Sequence, residues 1–306
     1  MVVGSYNADL AVICENIPRP GETALGKKFN IGSGGKGSNQ AVGIKRLGAD
    51  VYFVGRIGND VFAANAREMF GREGIDTRFV FESADAHTGV ALISINEKGE
   101  NSITVAPGAN NCLSKDDIKR SEAVMSECSH LLIQLEIPLE TVEYAVSAAK
   151  KKGLAVVLNP APAHRNVSAG LLKSVDVLTP NEHEAGMLSG IEVKNTEDAV
   201  SAGKKLLETG AGQVIITCGA KGSVLINKEG VKRFPAYKVE VVDTTGAGDA
   251  FNAGLVYALS RGHTISEAID FGSRAGALEA TRLGVADAMP TLEEMTNKSS
   301  ATDKHG

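Results

Sequence analysis

The sequence lacks the marks of several common functions. Its 306 residues hold four cysteines, Cys14, Cys112, Cys128 and Cys218, and none sits in a CxxC pair. This spacing argues against a disulfide framework and predicts reduced thiols in a cytoplasmic protein. The six histidines show no zinc-binding spacing and no GxSxG elbow occurs, so metalloenzyme and hydrolase readings lose their usual support. No stretch approaches the ~18 apolar residues of a membrane span. The opening MVVGSYNADL has no basic n-region and no long apolar run, so neither a signal peptide nor a membrane partner is expected. Basic residues are scattered and the formal net charge is -5. Without a basic stripe, nucleic acid is not an expected partner. The triplet Lys150-Lys151-Lys152 reads as a solvated helix end.

What the chain does have is apolar mass in short runs. Hydrophobic residues make up 43%, enough for a large core. HLLIQLE (130–136), LAVVLNPAP (154–162), VDVLTPNE (175–182) and QVIITCGAKG (213–222) alternate with helical patterns near 139–152, 167–173 and 196–209. Strands alternating with helices at this spacing predict βαβ units and a parallel sheet. AVVL and VIIT are apolar at every position, as strands covered on both faces are. Each run leaves the core through polar residues: Gln134 and Glu136, Asn159, Asn181, Thr217 and Gly219. In a parallel sheet those ends share one edge, where open α/β sheets bind ligands. The opening VVGSYNAD delivers Asn7 and Asp9 in the same way. A polar residue after one strand is ordinary loop chemistry. The repetition is what points to one site.

Two segments alternate polar and apolar residues instead. One covers approximately 9–33 and is clearest in PGETALGKKFNIGSGG (20–35). The other covers approximately 87–107, with NEKGEN (96–101) as a hairpin turn. They predict half-exposed antiparallel strands, forming either a small sheet laid over the site as a lid or an edge hairpin of the main sheet. The polar end, 297–306, is expected to fray.

GSGGKG (32–37) satisfies GxGxxG through Gly32, Gly34 and Gly37. The dinucleotide fingerprint needs a buried strand before it and an acidic residue ~20 positions on. Here KKFNI alternates and no such strand-end residue follows. Gly37 stands where a Walker A loop needs Ser or Thr. Both readings fail. What remains is a glycine loop entering the helix SNQAVGIKRLG (38–48), whose backbone and Lys36 can approach a small polar ligand closely.

DTTGAGDAF (243–251) carries more. From Asp249 on, Phe251, Leu255, Ala258 and Leu259 fall on one helical face. Gly246, Ala247 and Gly248 then present bare N–H groups at a helix N-terminus, which binds anions. A proton acceptor beside a phosphate nest suits phosphoryl transfer. Asp249 can take a hydroxyl proton while the N–H groups stabilise charge on the transferring group. The stretch alone leaves a second reading open, in which Asp249 only complements the helix dipole, for ~0.3–1 kcal/mol.

Two motifs, GGKGSNQAVGIKRLG (34–48) and VVDTTGAGDAFNAGL (241–255), enclose TPNEHE (179–184) and TCGAKG (217–222) in order. Over essentially the whole chain this resembles the PfkB carbohydrate kinase family. The resemblance implies that residues 1–306 form one kinase domain. Its fold would be a Rossmann-like three-layer α/β sandwich with a mainly parallel central sheet and a small β-sheet lid. It implies ATP-dependent phosphorylation of ribose at its 5-hydroxyl, with Asp249 as base and Gly246, Ala247 and Gly248 as anion hole. Asn7, Asp9, Gly35, Lys36, Asn39 and Glu136 match the sugar-holding positions of the family's ribose-phosphorylating branch. Asn181 and Glu184 match an NxxE element near the phosphates and Mg2+, Glu184 acting partly through water. Thr217, Cys218, Gly219, Ala220, Lys221 and Gly222 match the nucleotide loop, with Gly248 and Ser273 also beside the nucleotide. Asp243 and the carbonyls of Thr245, Glu279, Arg282 and Gly284 match a monovalent cation site, usually for potassium (K+). Ala288 stands where the family commonly has a hydroxyl, which removes one ligand. A homodimer through the lid is also implied. Sibling kinases of deoxyribose, fructose or a nucleoside stay open as alternatives. A catalytically silent sugar-binding protein would have lost Asp249 or the glycine loop, and both are present.

Overall fold

Apolar strand residues of the main sheet point alternately into two cores. The computed structural model describes residues 1–297. Its large sheet is built from β1 (Val2–Val3), β4 (Tyr52–Ile57), β5 (Asp76–Glu82), β8 (His130–Ile133), β9 (Ala155–Leu158), β10 (Val177–Leu178), β11 (Gln213–Thr217), β12 (Ser223–Asn227) and β13 (Gly230–Phe234). The order is β13-β12-β11-β10-β9-β8-β1-β4-β5. All pairings from β11 to β5 are parallel, and β12 and β13 add an antiparallel edge. Because side chains alternate across a strand, Val2, Phe53, Leu132, Val157 and Ile215 enter one core. Their neighbours Val3, Val54, Leu131, Val156 and Val214 enter the other. Each such buried side chain contributes roughly 1.5–3 kcal/mol.

Helices cover both faces. On the first core lie α1 (Lys36–Arg46), α2 (Val61–Arg72), α8 (Ala247–Ser260), α9 (Ile265–Glu279) and Met295 of the short α10 (Leu292–Thr296). On the second lie α3 (Lys115–Met125), α4 (Leu139–Lys151), α5 (Ala169–Lys173), α6 (Glu182–Ser189) and α7 (Thr196–Glu208). The result is the expected three-layer α/β sandwich. Among the described residues no helix is long and apolar enough to cross a membrane.

The alternating segments form a separate small sheet, not an edge of the large one. It contains β2 (Asn7–Cys14), β3 (Gly26–Gly34), β6 (Gly89–Ile95) and β7 (Asn101–Ala106), in the order β3-β2-β6-β7. The β6–β7 turn closes through Asn96, whose N–H donates to the Glu100 carbonyl at 3.0 Å. Two expectations need correction. Asn7 and Asp9 do not end a strand of the large sheet; β1 stops at Val3, and both residues begin β2. The small sheet is also not wholly antiparallel, since β2 and β6 pair in parallel. The reason is topological. These strands follow β1 and β5, which run parallel in the large sheet and so release the chain in one direction. Of the terminal stretch 297–306, only Asn297 lies within the described residues, and its N–H donates to the Glu293 carbonyl at 3.0 Å.

Helix α1 reaches α8 because Gly43 has no side chain. A β-carbon there would stand 2.6 Å from that of Ala253 and 3.2 Å from the Met289 sulfur. Gly43→Ala should therefore lower stability by about 1–3 kcal/mol through overpacking. Gly71 in α2 is exposed, and a β-carbon there would meet open space, with no atom within 4 Å. Gly71→Ala should raise stability by roughly 0.5–1 kcal/mol. Urea melts of the two variants should move in opposite directions; parallel shifts would refute this account of the α1–α8 contact.

Candidate active site

Most helices here begin with a side-chain cap. Asp60, Ser114, Ser168, Asn181, Asn195, Thr264 and Thr291 each accept an N–H from the first turn that follows. Helix α4 starts after Pro138 without one, and helices α1 and α8 also lack one. Their N-caps are Gly35 and Gly246, with φ of 91° and 100°, and neither has a side-chain cap. A left-handed turn at Gly246 is open to glycine at little steric cost. The first-turn N–H groups of α8 thus stay free of side-chain acceptors, whereas in α1 the Lys36 N–H donates to Glu136 Oε2 at 3.0 Å and the Gly37 N–H to Ser5 Oγ at 3.5 Å.

The two termini meet at Asp249, on the first turn of α8 and buried. Asn39 Nδ2 donates to its Oδ2 at 3.0 Å, and Gln40 Nε2 donates to its Oδ1 at 2.8 Å. Each of its oxygens therefore accepts one amide N–H. Gln40 is fixed in turn. Its Oε1 accepts Gln134 Nε2 at 2.5 Å, and its Nε2 also donates to Asn159 Oδ1 at 3.0 Å. Asn159 donates to the Thr179 carbonyl, Thr179 to Asn252, and Asn252 to the Gly248 carbonyl. The polar strand ends of the sheet therefore hold the first turn of α8 in place.

Beside this turn lie the residues expected at a sugar. Glu136 accepts from Ser5 Oγ at 2.5 Å and from the Lys36 backbone N–H at 3.0 Å. Buried Asn7 is held by Asn110, whose Nδ2 donates to its Oδ1 at 2.8 Å. Asn7 and Glu136 line one cavity of about 360 Å³. Burial pushes the Asp9 carboxyl up to about 7, with further contributions from Glu136 and Asp249. Burial acts to lower the Lys36 ammonium, but Asp249, Glu136 and Glu184 outweigh it and hold it above its ordinary value.

A second groove, of about 1230 Å³, runs past Ala247 and Gly248. Asn181, Thr217, Gly219, Ala220, Lys221, Gly222 and Ser273 line it, with Tyr237 and Phe251 among its other walls. Two residues expected there do not. Cys218 turns inward, buried, with its thiol pushed up to about 11 by burial. Glu184 is buried as the reciprocal cap of α6, its Oε2 accepting the Asn181 N–H at 2.9 Å. Burial raises its carboxyl above the usual range.

The residues expected at a monovalent cation also converge. Asp243 Oδ1 accepts the Thr245 N–H at 2.9 Å, and the Asp243 N–H reaches the Ala280 carbonyl at 3.2 Å. Glu279 is fully buried and its carboxyl is pushed up to about 9 by burial, with Asp243 and Asp249 adding to it. Its carbonyl accepts the Arg282 N–H at 3.0 Å. Gly284 has φ 89°, and Ala288 is buried without a side-chain donor. Sequence reading overlooked Ser5, Gln40, Asn110, Thr179 and Asn252. Their only signal is that buried polar groups must be paired, which does not say with what.

An anion-binding helix terminus, a buried carboxylate on its first turn and a groove alongside define a phosphotransferase-type site on an α/β sandwich. The comparisons with known proteins agree. The family model "pfkB family carbohydrate kinase" matches residues 1–292. A ribokinase of Haemophilus influenzae is 43% identical over 96% of this chain and 95% of its own. A deoxyribokinase of Salmonella typhi is 34% identical, covering 96% of each. The structure of Arabidopsis thaliana ribokinase complexed with ribose and ATP superimposes with a TM-score of 0.87 at 32% identity, covering 96% of each chain. The chain belongs to the pfkB family of carbohydrate kinases. It is an enzyme, a sugar kinase that uses ATP.

The environment of Asp9 sets a pH dependence. Below its unfolded value of 3.8 the carboxyl is protonated in both states and folding is not opposed. As pH rises from there through about 7, the unfolded chain ionises first and the native state loses stability. Asp9→Asn should match the wild type near the bottom of that window. Above it, the variant should exceed the wild type by on the order of 2 kcal/mol. Urea midpoints across the window check this; a difference independent of pH would rule it out.

Proposed function

We propose that this chain transfers the γ-phosphoryl group of MgATP to O5 of D-ribose, giving ribose 5-phosphate and ADP. The carrying observation is Asp249, buried on the first turn of an uncapped helix with each oxygen held by one amide N–H. A hydroxyl delivered there passes its proton to Asp249 while its oxygen attacks the γ-phosphorus. The bond from phosphorus to the bridging oxygen of ADP breaks. The N–H groups of Gly246, Ala247 and Gly248 stabilise charge on the transferring group, which backbone donors do without reorganising. Asn7, Asp9, Lys36, Asn39, Glu136 and the Gly35 backbone offer donors and acceptors to sugar hydroxyls. An unpaired buried hydroxyl costs about 1–3 kcal/mol, so this set favours a polyol. Thr217, the Gly219–Gly222 turn, Gly248 and Ser273 take the nucleotide; Cys218 contributes through its backbone.

Among the described residues no three His, Cys, Asp or Glu side chains gather as a metal cluster. Mg2+ would arrive with the nucleotide and be held by Asn181 and Glu184 through water, since Glu184 itself is buried against the start of α6 and does not line the groove. When bound it neutralises phosphate charge. A monovalent cation, potassium in this reading, would be held by Asp243 and the carbonyls of Thr245, Glu279, Arg282 and Gly284, where acidic groups converge. The small sheet serves as a lid that excludes water from the sugar. It also joins two copies. Residues opposite one another in its register share a face, and Phe29, Ile31 and Leu92 stand on one face, each more than half exposed.

ADP release should be strongest with D-ribose among ribose, 2-deoxyribose, fructose and adenosine. The deoxyribokinase relative keeps 2-deoxyribose as the second reading, and faster turnover on it would displace ribose. Asp249→Asn should leave ribose binding within a few-fold and cut turnover by ~10²-fold or more; an unaffected rate would remove Asp249 as the base. Leu92→Lys should shift the sedimenting species from dimer to monomer, and a wild type that sediments as a monomer would exclude the lid dimer.

A further inference from the structure

Glu279 is fully buried, and neither carboxyl oxygen has a hydrogen-bond partner among the described residues. It makes no ion pair within 4 Å among them either. Arg282, three residues on, is committed to Glu294, NH2 to Oε1 at 2.6 Å. The carboxyl packs on the turn that opens α8: a β-carbon on Gly246 would stand 2.5 Å from Glu279 Oε1. Asp243 belongs to the same loop, whose Asp243 N–H bonds the carbonyl next to Glu279. Helix α9 ends at Glu279, so its negative dipole end lies there too. Two acidic side chains and a helix C-terminus thus converge, and Arg282 acts on Glu279 only at a distance, without an ion pair to it. An uncompensated buried carboxylate costs several kcal/mol, and such groups are normally paired or coordinate metals.

We propose that the Glu279 side chain is itself a cation ligand, so that the site has two carboxylate donors, Glu279 and Asp243, in addition to carbonyls. This rests on the cation-site reading above and deepens it, since that reading used only the Glu279 carbonyl. The ligand class is a hard cation bound by oxygen. Two negative donors let a divalent ion such as calcium compete with potassium or sodium. The site lies beside the N–H groups of Gly246–Gly248. A cation held there adds positive potential beside those N–H groups, where a phosphate would sit. Cation binding is therefore coupled to nucleotide binding through charge.

The test is thermal unfolding of the full chain without sugar or nucleotide. KCl, NaCl and CaCl2 are titrated separately at ionic strength held constant with choline chloride. At least one should raise the melting temperature of the wild type. Glu279→Gln keeps the shape and removes the charge, and should need roughly tenfold more of that cation for half the shift. Glu279→Ala should need more still, and serves if the glutamine variant folds poorly. Calorimetric ADP binding should lose most of its cation dependence in Glu279→Gln. Unchanged cation midpoints in both variants would overturn the proposal, as would a wild type that responds to none of the three salts. Asp243→Asn separates the two readings. If it weakens the cation response and the Glu279 variants do not, the cation site stands and the side-chain ligand fails. If no variant alters the response, both fail.

Discussion

The buried Asp249 carboxylate is the constraint from which the rest follows. A charge in that position must be paired or it neutralises itself. Its partners, Asn39 and Gln40, lie 210 and 209 residues away along the chain. To bring them within hydrogen-bond distance, α1 and α8 must pack side by side with their N-termini aligned. That contact lets Asn39 and Gln40 reach across, and Gly43 keeps the helices close enough for it. Gln40 is held by Gln134 and Asn159 at the ends of β8 and β9, so the sheet itself sets the position of the carboxylate. Polar networks of this kind are rigid only when fully satisfied. Its members bury their polar groups in hydrogen bonds, with Asn39 Oδ1 and Gln134 Oε1 the unpaired atoms. Asn39 lies among the residues assigned to the sugar.

The caps show where local stability has been set aside. A Ser, Thr, Asn or Asp at the start of a helix contributes about 0.5–2 kcal/mol. The chain uses one at α2, α3, α5, α6, α7, α9 and α10. It forgoes one at α1, α4 and α8, and at α8 a side-chain oxygen would occupy the N–H groups that the proposed phosphate site needs. Departures from local rules at a site are what functional constraint produces.

The sandwich was largely legible because its signals are local. AVVL and VIIT are apolar throughout, and the two-sided core explains why. Helix starts moved by only a residue or two: the one read from Ser38 begins at Lys36, since a glycine-rich turn carries no apolar period to mark its onset. What failed was non-local. Nothing in NADLAVIC says that it leaves the large sheet to pair with β6 in parallel, because the cause lies in strand order. At the site, the motif residues could be named from their types and spacing. Gln40 could not, because it is adjacent to Asn39 and distinguished only by what it touches. Glu279 was placed through its carbonyl. The burial of its side chain against Gly246 depends on where α9 ends, which no sequence period shows.

Charge decides how such a site can accept a nucleotide. Asp9, Glu136, Glu184, Asp243, Asp249 and Glu279 face the cavities and loops described here, and Lys36 is the basic side chain to which Asp249, Glu136 and Glu184 all couple. Taken alone, this surplus of carboxylates opposes a triphosphate. Burial raises the Asp9, Glu184 and Glu279 carboxyls, which lessens part of that charge. Backbone N–H groups at Gly246–Gly248 supply positive potential without a side chain, and they do so within a turn of Asp249. They are fixed dipoles, worth about half an elementary charge together at a helix end. That falls short of several phosphate charges. Lys221 and Lys238 on the wall of the larger groove add to it, and on the proposed reading cations that enter with or beside the nucleotide supply the rest. On that reading, a site of this composition binds its sugar largely through carboxylates and its phosphates through backbone and cations, and Asp249 stands where the two kinds of recognition meet.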